Sequence, residues 1–96
     1  MDTTYADLEV KEQVQRELNA RVAQTLVDNA AEFGTRYMMA MLSVVNGRWD
    51  DMMKDVERNK ITADQAIRII DDLEQARLIP EQVGISRREQ VLGITA

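Results

Sequence analysis

Two apolar ladders run side by side between Leu26 and Val45, and no other stretch limits the possible folds as tightly. One climbs through Leu26, Ala30, Phe33, Tyr37, Ala40 and Val44; the other climbs through Val27, Ala31, Gly34, Met38, Met41 and Val45. Both advance in alternating steps of four and three, which keeps side chains on one face of an α-helix. Together they make an apolar surface wider than a single neighbouring helix covers. A chain built around such a segment packs helix on helix.

The ladder continues backwards in a simpler form. Val10, Val14, Leu18, Val22 and Leu26 recur every four residues, and each such step turns about 40° around an ideal helix. The stripe therefore wraps as it climbs. A long helix over about residues 5–46 is predicted, opened by Thr4 as N-cap with Asp7 three residues on. Gly34 falls inside it, and Gly in a helix interior costs about 1 kcal/mol against Ala; the flanking ladders favour continuation through it. Glu32 and Arg36 make an i,i+4 pair on the solvated side.

Shorter helices follow. Asn46-Gly47 is a C-terminal stop, since Gly takes the left-handed conformation of a helix cap. Trp49, Met52, Met53 and Val56 at i, i+3, i+4 and i+7 predict a helix over 48–58. Thr62-Ala63-Asp64-Gln65 matches a capping box and opens a helix over 63–78, ended by Pro80. Ser86-Arg87-Arg88-Glu89 matches a second box, predicting a short helix over 86–92 that packs through Ile85, Val91 and Leu92. No strand signal stands out. The expectation is one all-α domain over 1–96, a long N-terminal helix with two or three shorter ones folded back on it.

Length then bears on assembly. About 40 helical residues span roughly 60 Å, whereas the next two helices together lie along only about 40 Å. Folding back from Gly47, they cover Leu26–Val45 first and leave Val10, Val14, Leu18 and Val22 without an intrachain partner. A stripe of that kind is usually buried in another chain, often by two-fold pairing. The bundle is expected to be completed by self-association, most simply as a dimer. The candidate interface is Val10, Val14, Leu18, Val22, Leu26, Met38 and Met41. The methionines serve either as core filling or as an adaptable partner surface, since five of the six lie between Met38 and Met53.

Composition removes several function classes. There is no His and no Cys, which removes most triads, thiolate chemistry and transition-metal sites. Asp55, Glu57, Asn59 and Asp64 match the start of a calcium loop, but its required Gly falls on Lys60 and its closing Glu on Ala66. The remaining carboxylates read as solvated helix faces. No catalytic residue, cofactor or metal is expected, and the chain is read as a non-enzyme. The net charge of −5 is spread as −3 over residues 1–47, −2 over 48–79 and zero over 80–96. That pattern leaves no electrostatic footprint for nucleic acid or anionic lipid. The start, Met1-Asp2-Thr3-Thr4, lacks a basic stretch, and Tyr37–Val45 is far short of the roughly 20 apolar residues of a membrane span. A cytoplasmic or virion-associated location without membrane insertion is the expectation.

Two resemblances complete the reading. Val83-Gly84-Ile85-Ser86-Arg87-Arg88 resembles the turn and recognition-helix start of helix-turn-helix proteins, which implies Arg87 and Arg88 as phosphate contacts and a small DNA-binding regulator. The pattern departs at Pro80 and Gln90, where apolar helix residues belong. The overall format, a small acidic helical chain without Cys or His, resembles accessory proteins of phages and mobile elements. The leading expectation is a protein–protein interaction module, homo-oligomeric and acting as adaptor, assembly factor or inhibitor of another protein; the DNA-binding regulator is the alternative.

Overall fold

Each helix break in this chain is set by one residue or one capping pattern, and these breaks determine which faces meet. The structure is a computed structural model that describes residues 3–95, with side chains from Asp7; the backbone at Thr4, the expected N-cap, is already helical, and its side chain lies outside those described. Among the described residues are five α-helices: α1 (Thr3–Ala30), α2 (Thr35–Val45), α3 (Trp49–Glu57), α4 (Ala63–Gln75) and α5 (Glu81–Thr95), with no strand.

The predicted continuous helix over 5–46 is two helices. After Ala30 the chain tightens into a 3-10 turn over Ala31–Phe33, and Gly34 takes φ 108° and ψ 163°. That region is essentially reserved for Gly. Gly34 N–H donates to the Ala31 carbonyl, and its own carbonyl accepts from Met38 N–H to start α2. The chain thereby reverses, so that Ala20, Ala23 and Val27 of α1 line one cleft with Leu42 and Val45 of α2. Both ladders are used, but they meet across a hairpin instead of lying along one rod.

The next three reversals use a single device. The Arg48 N–H donates to Ser43 and the Gly47 N–H to Val44; the pattern repeats as Lys60 to Asp55 with Asn59 to Val56, and as Leu78 to Leu73 with Arg77 to Glu74. These are Schellman motifs, each requiring a left-handed residue. Gly47, Asn59 and Arg77 occupy that position with φ of 77°, 58° and 60°. The first stop was legible as Asn46-Gly47, and the second closes α3 at Glu57, within one residue of the predicted end. The third ends α4 at Gln75, three residues before the predicted end at Leu78.

Helix α4 opens as expected. The Thr62 hydroxyl accepts from the Gln65 N–H at 3.1 Å, and the Gln65 side chain accepts from the Thr62 N–H at 3.0 Å. Helix α5 does not. It starts at Glu81, with the Pro80 carbonyl accepting the first helical bond from Gly84 N–H. Pro suits a helix start because it has no amide to leave unsatisfied. Ser86, the predicted cap, therefore lies inside the helix, which also passes the predicted end at Leu92. At Gly84 helix α5 comes close to α4: an added Cβ would meet the Glu74 carboxylate, whose side chain would have to shift.

The core sits between α2, α3, α4 and α5. Its fully buried side chains include Met41, Met52, Ile69, Ile70, Leu73 and Val91. Helix α1 contributes only its last turns, through Val27 and Ala30, with Leu26 packed at the edge. The rest of α1 extends away, giving overall dimensions of 57 × 26 × 19 Å.

Candidate interaction surface

The exposed arm of α1 is the largest departure from a closed globule. Every described residue from Asp7 to Val22 is exposed, and the predicted stripe is among them. Val10 is 59% exposed, Val14 and Leu18 are each 48%, and Val22 is 37%. The four-residue step explains this. At about 40° per step, the stripe reaches the face used by Ala23, Val27 and Ala30 only at Leu26. Val14 and Leu18 thus look away from α2, and no buried core residue among those described precedes Val27.

Not all candidate interface residues belong together. Leu26 and Met38 are half-buried against the intrachain core. Met41 is only 1% exposed, which corrects its assignment to a partner surface: it fills space between α2 and the helices packed on it. Met52 and Met53 are likewise core, and only Met39 of the group is largely exposed. These methionines act as flexible filling in a small core.

The nucleic-acid alternative fares differently. Gly84 is helical, so the turn that a helix-turn-helix needs at that position is missing. Arg88 donates to Asp71 at 2.9 Å and to Glu74 at 3.1 Å, joining α5 to α4. The bond with Glu74, above all, raises the guanidinium's pKa. Arg87 lies over the Trp49 ring, 4.8 Å from its centre, a cation–π contact that ties α5 to α3. Both arginines are thus structural clamps. Val91 is buried as expected, whereas Ile85 and Leu92 face outward.

A second feature gave no sequence signal. A cleft of about 470 Å³ lies between α1, α2 and α4, lined by Phe33, Tyr37, Arg68 and Asp72 among others. Phe33 and Tyr37 pack with ring centres 5.0 Å apart and their planes tilted by 50°, and the Arg68 guanidinium sits 4.4 Å above Phe33. Tyr37 is buried, and its hydroxyl has no hydrogen-bond partner among the described residues. Burial pushes the pKa of Tyr37 up, with Asp72 adding to the shift, and burial likewise raises Asp72 above the usual carboxylate value. These residues are 31 or more positions apart between α2 and α4, so no local spacing announces them.

Among the described residues no group of three or more His, Cys, Asp or Glu side chains converges as a metal site would, and no helix is long and apolar enough to cross a membrane. No known family, characterised protein or solved structure matches the chain.

Proposed function

We propose that this chain is a non-enzymatic protein–protein interaction module that self-associates through the arm of α1 and serves as an adaptor, assembly factor or inhibitor of another protein. One observation carries the reading: the core closes without residues 7–22, and those residues still keep an apolar stripe in water. A solvated helical arm needs no such stripe, because helix propensity is supplied equally well by Glu, Lys, Gln and Arg. Isolated helices of this length are marginal in water, so an arm lacking tertiary contacts gains its order from whatever covers it. The mild negative charge and the occupied arginines favour a protein over a nucleic acid as the partner.

Sedimentation tests the proposal. The wild-type chain is expected to associate as concentration rises. The double variant Val14→Glu, Leu18→Glu is expected to stay monomeric, since each contact would then bury unpaired charges at a cost of several kcal/mol. Circular dichroism should show its helicity largely retained, because neither residue belongs to the intrachain core. A wild-type chain that remains monomeric at high concentration sinks the self-association reading.

A further inference from the structure

The arm carries a hidden symmetry. Residues 6–22 read A-D-L-E-V-K-E-Q-V-Q-R-E-L-N-A-R-V. About Val14 the apolar pattern is palindromic while the charges are inverted. Val10 mirrors Leu18, and Leu8 mirrors Ala20. Asp7 mirrors Arg21, Lys11 mirrors Glu17 and Glu12 mirrors Arg16. Glu9 is the one charge that meets a neutral residue, Asn19.

Helical geometry sorts these pairs by face. At about 100° per residue, Asp7 and Arg21 lie within about 20° of Val14, Val10 and Leu18 at about 40°, and Lys11 and Glu17 at about 60°. All of them belong to one exposed face. Glu12 and Arg16 fall about 160° away, on the back. There they pair within the chain at 3.7 Å. The inverted charges on the front face have no such use for one another across Val14: Lys11 and Glu17 stand six residues apart, on opposite flanks of the apolar ridge.

Resting on the interaction reading above, we infer that residues 7–22 form a self-recognition site on which a second copy of this chain docks antiparallel, with the two-fold axis passing through Val14. Under that axis Val10 meets Leu18 of the partner subunit and Val14 meets the partner's Val14. Asp7 comes beside the partner's Arg21 near the middle of the seam, whereas Lys11 and the partner's Glu17 stand level with each other on opposite flanks of it. Apart from the self-pair of Val14 on the axis, each pair occurs twice, as an isologous contact requires. The parallel arrangement is disfavoured by the same charges, because it sets Asp7 near the partner's Asp7 and Arg21 near the partner's Arg21. Charge inversion thus selects both the partner and its direction. The contact spans about 16 residues a side, short of the 20–30 of a standard interface, so dimerisation is expected to depend on concentration.

Two complementary variants of the full chain test the pairing. K11E/R21E makes the front face wholly acidic, and D7K/E17K makes it wholly basic. All four sites are exposed, and circular dichroism checks that each variant folds. Each alone is expected to dimerise about tenfold or more weakly than wild type at low salt. An equimolar mixture is expected to recover wild-type affinity as a heterodimer, and to lose that advantage as salt is raised. The register is read separately. The chain has no native Cys, so V14C should cross-link to itself with a short bismaleimide. V10C and L18C should cross-link to each other when mixed, and not to themselves. Wild-type association abolished by V14E/L18E, with no recovery in the mixture or with V10C joining itself, overturns the antiparallel register and leaves the interaction reading intact. A wild-type chain monomeric up to about 1 mM overturns both.

Discussion

Gly47, Asn59 and Arg77 perform the same conformational task with unequal ease. Each sits left-handed at the end of a helix, a conformation free for Gly, tolerated by Asn and costing other residues about 1–2 kcal/mol. Arg77 is exposed, and among the described residues it reaches no partner that explains its presence there. Arg77→Gly is therefore expected to stabilise the fold by about 0.5–1 kcal/mol, the relieved strain exceeding the added chain entropy. Urea unfolding measures it, and a lowered midpoint would show that Arg77 contributes a contact outweighing its backbone strain. Asp72 offers a test in pH. Its carboxyl is held above the ordinary 3.8, chiefly by burial and against the pull of Arg68. The folded chain thus binds its proton more readily than the unfolded chain. Ionised Asp72 subtracts stability at neutral pH, and that loss is recovered as pH falls through the raised value toward 3.8. Asp72→Asn should melt higher than wild type near pH 7, with the two melting curves converging as pH approaches 3. A gap that instead widens on acidification would mean that the attraction of Arg68 dominates.

At the scale of elements, legibility followed the range of the signal. The Thr62–Gln65 box and the Asn46-Gly47 stop are local patterns whose hydrogen bonds close within a few residues, and both were readable in advance. The α5 start was not. Ser86–Glu89 matches a capping box as well as Thr62–Gln65 does, but Pro80 begins the helix earlier, and the pairing of Arg88 with Asp71 and Glu74 ties α5 to α4. That competition is tertiary, and spacing along the chain does not record it. The break at Gly34 is instructive because both ladders run through it undisturbed. Periodicity reports which residues are buried, and a hairpin buries the same faces that a straight rod would present to two partners. The cleft around Tyr37 and Asp72 stayed invisible for the same reason, being built by bringing α2 onto α4. Gly34→Ala tests the break directly. Open space surrounds Gly34, so the expected loss of about 1–3 kcal/mol comes from backbone strain alone. Thermal unfolding would show it, and an unchanged midpoint would mean that the hairpin tolerates a different turn.

For the whole molecule, the uneven distribution of packing implies an uneven distribution of stability. Residues from Val27 onward share one core, and Ile69, Ile70 and Met52 have no exposed surface. Residues 7–18 of α1 touch none of it and hold their shape by helical hydrogen bonds and exposed local pairs such as Glu12–Arg16, an arrangement that opens at little cost. Amide exchange should therefore split the chain in two. In dilute solution the amides of residues 10–18 are expected to exchange far faster than those around Ile69 and Met52, whose opening requires the core to unfold. Raising the concentration should slow the first group and leave the second unchanged, because a docked second copy removes the arm's open states without touching the core. The shape of the response matters more than its size. Protection that grows on the Val10–Val14–Leu18 turns, and on those alone, locates the contact on the stripe. Protection that grows evenly over the whole chain would place association elsewhere. Protection of the arm that is already high and independent of concentration would mean that the helix is stable without a partner, and the exposed valines would then have no stabilising task to perform.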